Sequence, residues 1–205
     1  MTRPGDRRPS ILDRAAAFSL IELIVVIAVV AVLIGILVPV LASGKRAAEQ
    51  VTCLSNLRSL GTALRSYMDQ ESGGILPPYN GYFDQGTQSG DFTAIVPLLA
   101  AHLEGTAPKA IGNGRYEPKA PFVCPHDDEI GPEFGFSYDY VPGALMINYA
   151  TTGQLDPSLA VPVTRRYEAG EYAVLFADIN PWHDHPIDGR MAAFWDGSAG
   201  PIKGN

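Results

Sequence analysis

Glu22 stands at the head of 22 uncharged residues, Leu23 to Gly44, rich in Val, Ile, Leu and Ala. A carboxylate in an apolar helix is expensive in hydrocarbon and usually has a functional partner. Farther along, Cys53 and Cys124 are the only cysteines; they are read either as a disulfide or as two buried thiols. Asp178, Asp184, Asp188 and Asp196 crowd a Gly- and Pro-rich C-terminal stretch. Hard oxygens on such a loop suit calcium, and a solvated acidic loop explains the same residues. Cys124-x-His126 and His183-x-His185 offer softer donors for zinc, although their spacing matches neither a zinc finger nor a helical histidine pair.

No recognised catalytic template is present. The chain has no Gly-x-Ser-x-Gly elbow, no His-Glu-x-x-His and no phosphate loop. His102, His126, His183 and His185 are therefore read as structural, Trp182 and Trp195 as packing residues, and the chain is expected not to be an enzyme. No cofactor is expected beyond the calcium reading. With 15 Lys+Arg against 22 Asp+Glu and a formal charge of -7, nucleic acid is not an expected partner, because binding phosphates needs a basic surplus on one face.

The elements that must position these residues follow from segment composition. Residues 1–17 carry Arg3, Arg7, Arg8 and Arg14 against Asp6 and Asp13; this short basic piece cannot form a core and reads as a leader. As a helix, the uncharged run would extend ~33 Å, enough to cross a bilayer. It exceeds the roughly 7–15 apolar residues of a secretory signal. The basic flank predicts a cytoplasmic N-terminus, with Lys45 and Arg46 weakening the asymmetry. Pro39 lacks a backbone donor, so a kink or local melting is expected near Gly35 and Pro39.

Beyond the membrane, Val51, Leu54, Leu57 or Arg58, Gly61, Leu64 and Met68 recur at three- and four-residue steps, predicting a helix with one buried stripe. Gly73-Gly74 and Pro77-Pro78 stop it. A helix from about Phe18 to about Gln70 would be ~80 Å long. In the remainder, strands are expected at Ala144–Ala150, Tyr172–Asp178 and Met191–Trp195, and a short helix at Phe92–Leu103. A helix followed by strands is an α+β plan: a long N-terminal helix, its first half transmembrane, packed on a small antiparallel β-sheet head with long loops.

The stretch Ala17-Phe18-Ser19-Leu20-Ile21-Glu22-Leu23-Ile24-Val25-Val26-Ile27-Ala28 closely resembles the signal of type IV pilins and type II secretion pseudopilins. The resemblance implies that prepilin peptidase cuts between Ala17 and Phe18 on the cytoplasmic side and methylates the new amino group. Glu22 falls at the fifth mature position, where the family has a Glu, and Pro39 at the twenty-second, where a Pro is common. The residue before the cut is usually Gly in that family and is Ala here. Four later pieces are similar to a large pseudopilin-like family with a C-terminal His and Asp-Gly signature: Cys53 to Gly61, Phe122 to Pro125, Ser137-Tyr138 and Phe194 to Gly197. Ten residues separate His185 from Asp196, where that signature has nine.

The resemblance divides the chain into a removed leader (1–17), a transmembrane helix half (18–44), a periplasmic helix half (45–70) and a head (71–205). It implies a structural subunit held in the inner membrane, with a cytoplasmic N-terminus and a periplasmic head. Such a subunit joins other pilin-like subunits in a secretion pseudopilus or pilus-like filament, through Phe18 and Glu22. The alternatives are a non-assembling membrane-anchored binding domain and an anchored metal-dependent hydrolase.

Overall fold

The computed structural model describes residues 19–79, 83–84, 89–90, 95–103, 107–113, 115–148, 154–183 and 189–202. It shows one long helix followed by a small antiparallel sheet, an α+β, pilin-like architecture. Helix α1 spans Leu20–Gln70, 51 residues. The chain divides into two compact units, Met1–Gly44 and Lys45–Asn205, taken separately below.

In the first unit every described residue is exposed. Leu20 to Leu41 therefore presents apolar side chains on all sides, which is stable only in lipid or against other apolar helices. The stretch is long and apolar enough to cross a membrane. The helix continues through Gly35 and Pro39, so the expected local melting does not occur. Proline withholds a single donor, the one Gly35's carbonyl would have accepted, and the turns on either side carry the helix across.

In the second unit, the helix ends at Gly73 and Gly74, whose φ values of 62° and 90° suit residues without a Cβ. The Gly74 amide donates back to the Met68 carbonyl at 2.8 Å, closing the last turn. The buried face is Cys53, Asn56, Leu57, Leu60, Ala63, Leu64 and Met68. Leu57, Leu64 and Met68 follow the expected stripe, whereas Val51 is exposed. The stripe is rotated toward Cys53 and Leu60, because the disulfide and the sheet decide which side is covered.

Short elements follow: β1 (Phe83–Asp84), β2 (Ser89–Gly90), α2 (Ile95–Ala101), β3 (Ala110–Gly112), β4 (Arg115–Tyr116), α3 (Ile130–Phe134), β5 (Tyr138–Tyr140) and α4 (Val141–Leu145). Then come β6 (Ile147–Asn148), β7 (Gln154–Leu155), a 3₁₀ turn (Pro157–Leu159), α5 (Ala160–Glu168), β8 (Val174–Asp178), β9 (Met191–Phe194) and β10 (Ala199–Pro201). The main sheet has the order β10-β9-β8-β5, with every neighbouring pair antiparallel. Leu57, Leu60 and Leu64 share one core with Tyr138, Tyr140, Phe176 and Ala193. Small residues permit close approach: a Cβ built on Gly61 would lie 3.6 Å from that of Ala193.

The strands expected at Tyr172–Asp178 and Met191–Trp195 are β8 and β9, each slightly shorter. The strand expected at Ala144–Ala150 is instead the end of α4 followed by β6, with 149–150 outside the described residues. Pro142, in the first turn of α4, presets helical φ and turns the chain before the apolar run. Helix α5 was not expected; its Pro162 lies in the first turn, where a missing amide has little effect. Thr164 on α5 donates to the Ala160 carbonyl at 2.7 Å and accepts from the Leu76 amide at 3.0 Å, holding the turn that leads into Pro77.

Candidate processing segment and a buried cysteine–histidine–aspartate cluster

The described chain opens at Ser19, beside the expected processing junction; Ala17 and Phe18 lie outside the described residues. The Leu23 amide donates to the Ser19 carbonyl at 3.2 Å, so Ser19 occupies the position that caps α1. The Ser19 amide in turn donates to Glu22 Oε2 at 3.0 Å. This is the return half of a capping box, in which a carboxylate three residues into a helix satisfies the capping residue's amide. The positive end of the helix favours the same charge. Glu22 thus has a role in its own helix, one that Ser-x-x-Glu before an apolar run could have signalled in the sequence.

A second concentration of chemistry lies in the Lys45–Asn205 unit. Cys53, on α1, is bonded to Cys124, on the loop before α3, with Cα atoms 5.1 Å apart and both residues fully buried. The loop is held independently of the bond. Asn56 Nδ2 donates to the Val123 carbonyl at 2.9 Å, and the Cys124 amide donates to Ser137 Oγ at 3.0 Å. Ser137 donates to Asp127 Oδ2 at 2.6 Å, and Asp127 also accepts the amides of Glu129, Ile130 and Gly131. Asp127 is therefore a saturated structural carboxylate. A side chain at Gly131 would collide with Asp127, Ser137 and Val123, so only glycine fits there.

His183 completes the cluster. Its Nε2 lies 3.6 Å from Cys124 Sγ and 3.4 Å from Asp178 Oδ2. The His126 ring packs against it at 4.7 Å between centroids, and His126 Nε2 is 3.9 Å from Glu49 Oε2. Asp178, at the end of β8, is fully buried and accepts the Met191 amide on Oδ2 at 2.6 Å. Its Oδ1 has no hydrogen-bond partner among the described residues. Burial pushes the Asp178 carboxyl up to about 8, with the Met191 amide opposing the shift. Tyr138 is raised as well, first by burial and then by the negative charge of Asp178.

Of the residues read as a calcium set, Asp178 and Asp196 do not converge. Asp184 and Asp188 lie outside the described residues. Asp178 lies beyond Ala177, which pairs with Ala192, whereas Asp196 lies beyond Phe194, which pairs with Val174. They therefore sit at opposite ends of the β8–β9 pair, whose span from Val174 to Asp178 is about 13 Å at ~3.3 Å per residue. Asp196 is exposed and turns inward on its own loop, with Oδ1 accepting from the Ser198 amide at 2.9 Å and hydroxyl at 2.6 Å. With Gly197 at φ 86°, it forms the β9–β10 turn. Trp195 packs on Tyr167 at 5.5 Å and under Arg65 at 4.7 Å, and its carbonyl accepts from the Arg65 guanidinium.

Residues 12–38 match the family model described as the prokaryotic N-terminal methylation motif. The chain bears the N-terminal methylation motif of pilin-like proteins. No curated protein and no solved structure matches the chain. The motif covers Ser19, Glu22 and the exposed apolar turns through Val38, including Gly35. Pro39 and the whole cysteine–histidine–aspartate cluster lie beyond it. Within the motif the structure adds the Ser19–Glu22 bond; outside it Asn56 and Asp127 are working residues that the sequence did not single out, whereas His183 is read there as a zinc donor together with Cys124.

Proposed function

We propose that the protein is a structural pilin-like subunit. Prepilin peptidase cuts it before Phe18 and methylates the new amino group, and the mature chain assembles with other pilin-like subunits into a type II secretion pseudopilus or type IV pilus-like filament. In this reading α1 crosses the inner membrane with its N-terminus cytoplasmic and the head in the periplasm, where a disulfide is stable. The observation that carries it is the methylation motif lying over an apolar helix whose described residues are all exposed up to Gly44. Bundled helices of neighbouring subunits would cover that surface and set Glu22 beside a Phe18 amino group. Opposite charges in low dielectric attract strongly. The role is structural, with no catalytic step assigned to the head.

One observation favours the alternative of a lone anchored domain. Glu22 already has a partner in Ser19, so its presence does not by itself require a neighbouring chain. Sequencing the N-terminus of protein purified from membranes, together with crosslinking in those membranes, separates the readings. The filament reading expects a methylated Phe18 terminus and a ladder of crosslinked species. A Met1 terminus with monomers alone would contradict it.

A further inference from the structure

We propose that the head has a second closed state besides its disulfide: when the bond is reduced, Cys53, Cys124 and His183 bind one zinc ion. The site differs from the methylation motif in place and chemistry, and does not depend on the filament reading.

The donor atoms of Cys53, Cys124 and His183 already lie within 4.8 Å of one another, and all three residues are buried. Zinc takes thiolate at about 2.3 Å and imidazole at about 2.0 Å in a tetrahedron, which places a sulfur and a nitrogen on one metal about 3.6 Å apart. Cys124 Sγ and His183 Nε2 are 3.6 Å apart. Asp178 Oδ2 lies 3.4 Å from His183 Nε2 but stands outside this group of three donors. The two sulfurs must part from a bond of about 2.0 Å to about 3.8 Å.

The surroundings suit a cation. Asp178 is fully buried beside His183, with one oxygen lacking a hydrogen-bond partner among the described residues. The Asn56–Val123 and Cys124–Ser137 hydrogen bonds fix the donor loop whether or not the sulfurs are joined. Reduction takes two electrons and two protons from a dithiol, which leaves as its own disulfide, and converts Cys53–Cys124 to two thiols. Zinc then displaces both thiol protons to solvent and is held by two thiolates and the neutral imidazole. The oxidised head cannot bind in this way, because a disulfide sulfur is no thiolate.

The test uses the full chain in detergent micelles, reduced by a phosphine without oxygen and titrated first with Co²⁺ and then with Zn²⁺. One cobalt per chain is expected, with thiolate charge transfer in the near ultraviolet and the visible bands of tetrahedral cobalt, both bleached by one equivalent of Zn²⁺. The oxidised chain shows neither. His183→Ala, confirmed as folded in its oxidised form by near-ultraviolet circular dichroism, weakens Zn²⁺ by about tenfold or more, since even outer-shell partners of a metal are worth that much. A reduced wild-type chain without thiolate-to-cobalt absorption overturns the proposal, as does a His183→Ala variant with unchanged spectrum and affinity. The wild-type spectrum decides even if the variant does not fold.

Discussion

The backbone N–H of Ser19 donates to Glu22 Oε2 at 3.0 Å, giving the carboxylate of the apolar segment a partner within its own helix. Two functions of Glu22 become separable. As a helix cap it needs only an oxygen acceptor, which Gln also supplies. As the partner of an amino group it needs a negative charge, which Gln lacks. Glu22→Gln therefore isolates the charge in a way that Glu22→Ala, which removes both, does not.

Processing should depend on the size of residue 17 and not on the helix. Replacing Ala17 with Phe is expected to leave insertion intact and to block the cut. Intact-mass measurement of the membrane fraction would show the chain retaining residues 1–17, against a wild type that begins at Phe18. Equal processing of both would place the cut elsewhere.

The Cys53–Cys124 bond closes a separation of 71 residues, for which the loop-entropy model gives about 4 kcal/mol of stability at 25 °C. Cys53→Ser with Cys124→Ser should lower the stability of the metal-free chain by up to that amount in denaturant titration. A loss below about 1 kcal/mol would mean that the Asn56 and Ser137 hydrogen bonds hold the loop by themselves.

Asn56 offers a cleaner local measurement. Asn56→Ala leaves the Val123 carbonyl without its donor on the buried side of α1, a loss of about 1–3 kcal/mol. The circular dichroism of α1 should persist while the denaturation midpoint falls. An unchanged midpoint would show that water replaces the amide.

Asp196 should report on acid. The Ser198 hydroxyl and amide hold its carboxyl below the usual range, so the folded chain gives up this proton more readily than the unfolded one. The resulting stability is complete above the ordinary carboxylate range and is lost as pH falls through the lowered value. Asp196→Ala should flatten the acid side of the melting-temperature profile and leave the neutral side parallel to wild type. A variant whose acid limb matches the wild type's would show that the turn contributes no pH dependence.

The apolar helix of the first unit was legible in the sequence because its signals are local: an uncharged run with one carboxylate at its head. Even there the Ser19-x-x-Glu22 cap went unread, because the resemblance supplied another reason for Glu22. Of the kink or local melting expected at Pro39, the melting is absent, since one missing donor is small against the flanking turns. In the head, β8 and β9 were legible from their apolar runs. The buried stripe was read a step away from Cys53 and Leu60, because side-chain period gives a helix's spacing and not which neighbour covers it. Cys124 and His183 were grouped from the sequence by donor type alone, and the structure brings them together; spacing could not show that strand pairing puts Asp178 and Asp196 at opposite ends of β8 and β9.

The most direct measurement of the central claim is crosslinking of subunits in native membranes, comparing wild type, Glu22→Gln and Glu22→Ala at equal expression. The account predicts ladders for wild type only. Both variants insert, because removing a charge makes the segment easier to place in lipid, and Glu22→Gln keeps its cap, yet in each the neighbouring Phe18 amino group is left without an anion. An undiminished ladder in Glu22→Gln would contradict the account and leave Glu22 as the cap of a lone membrane anchor.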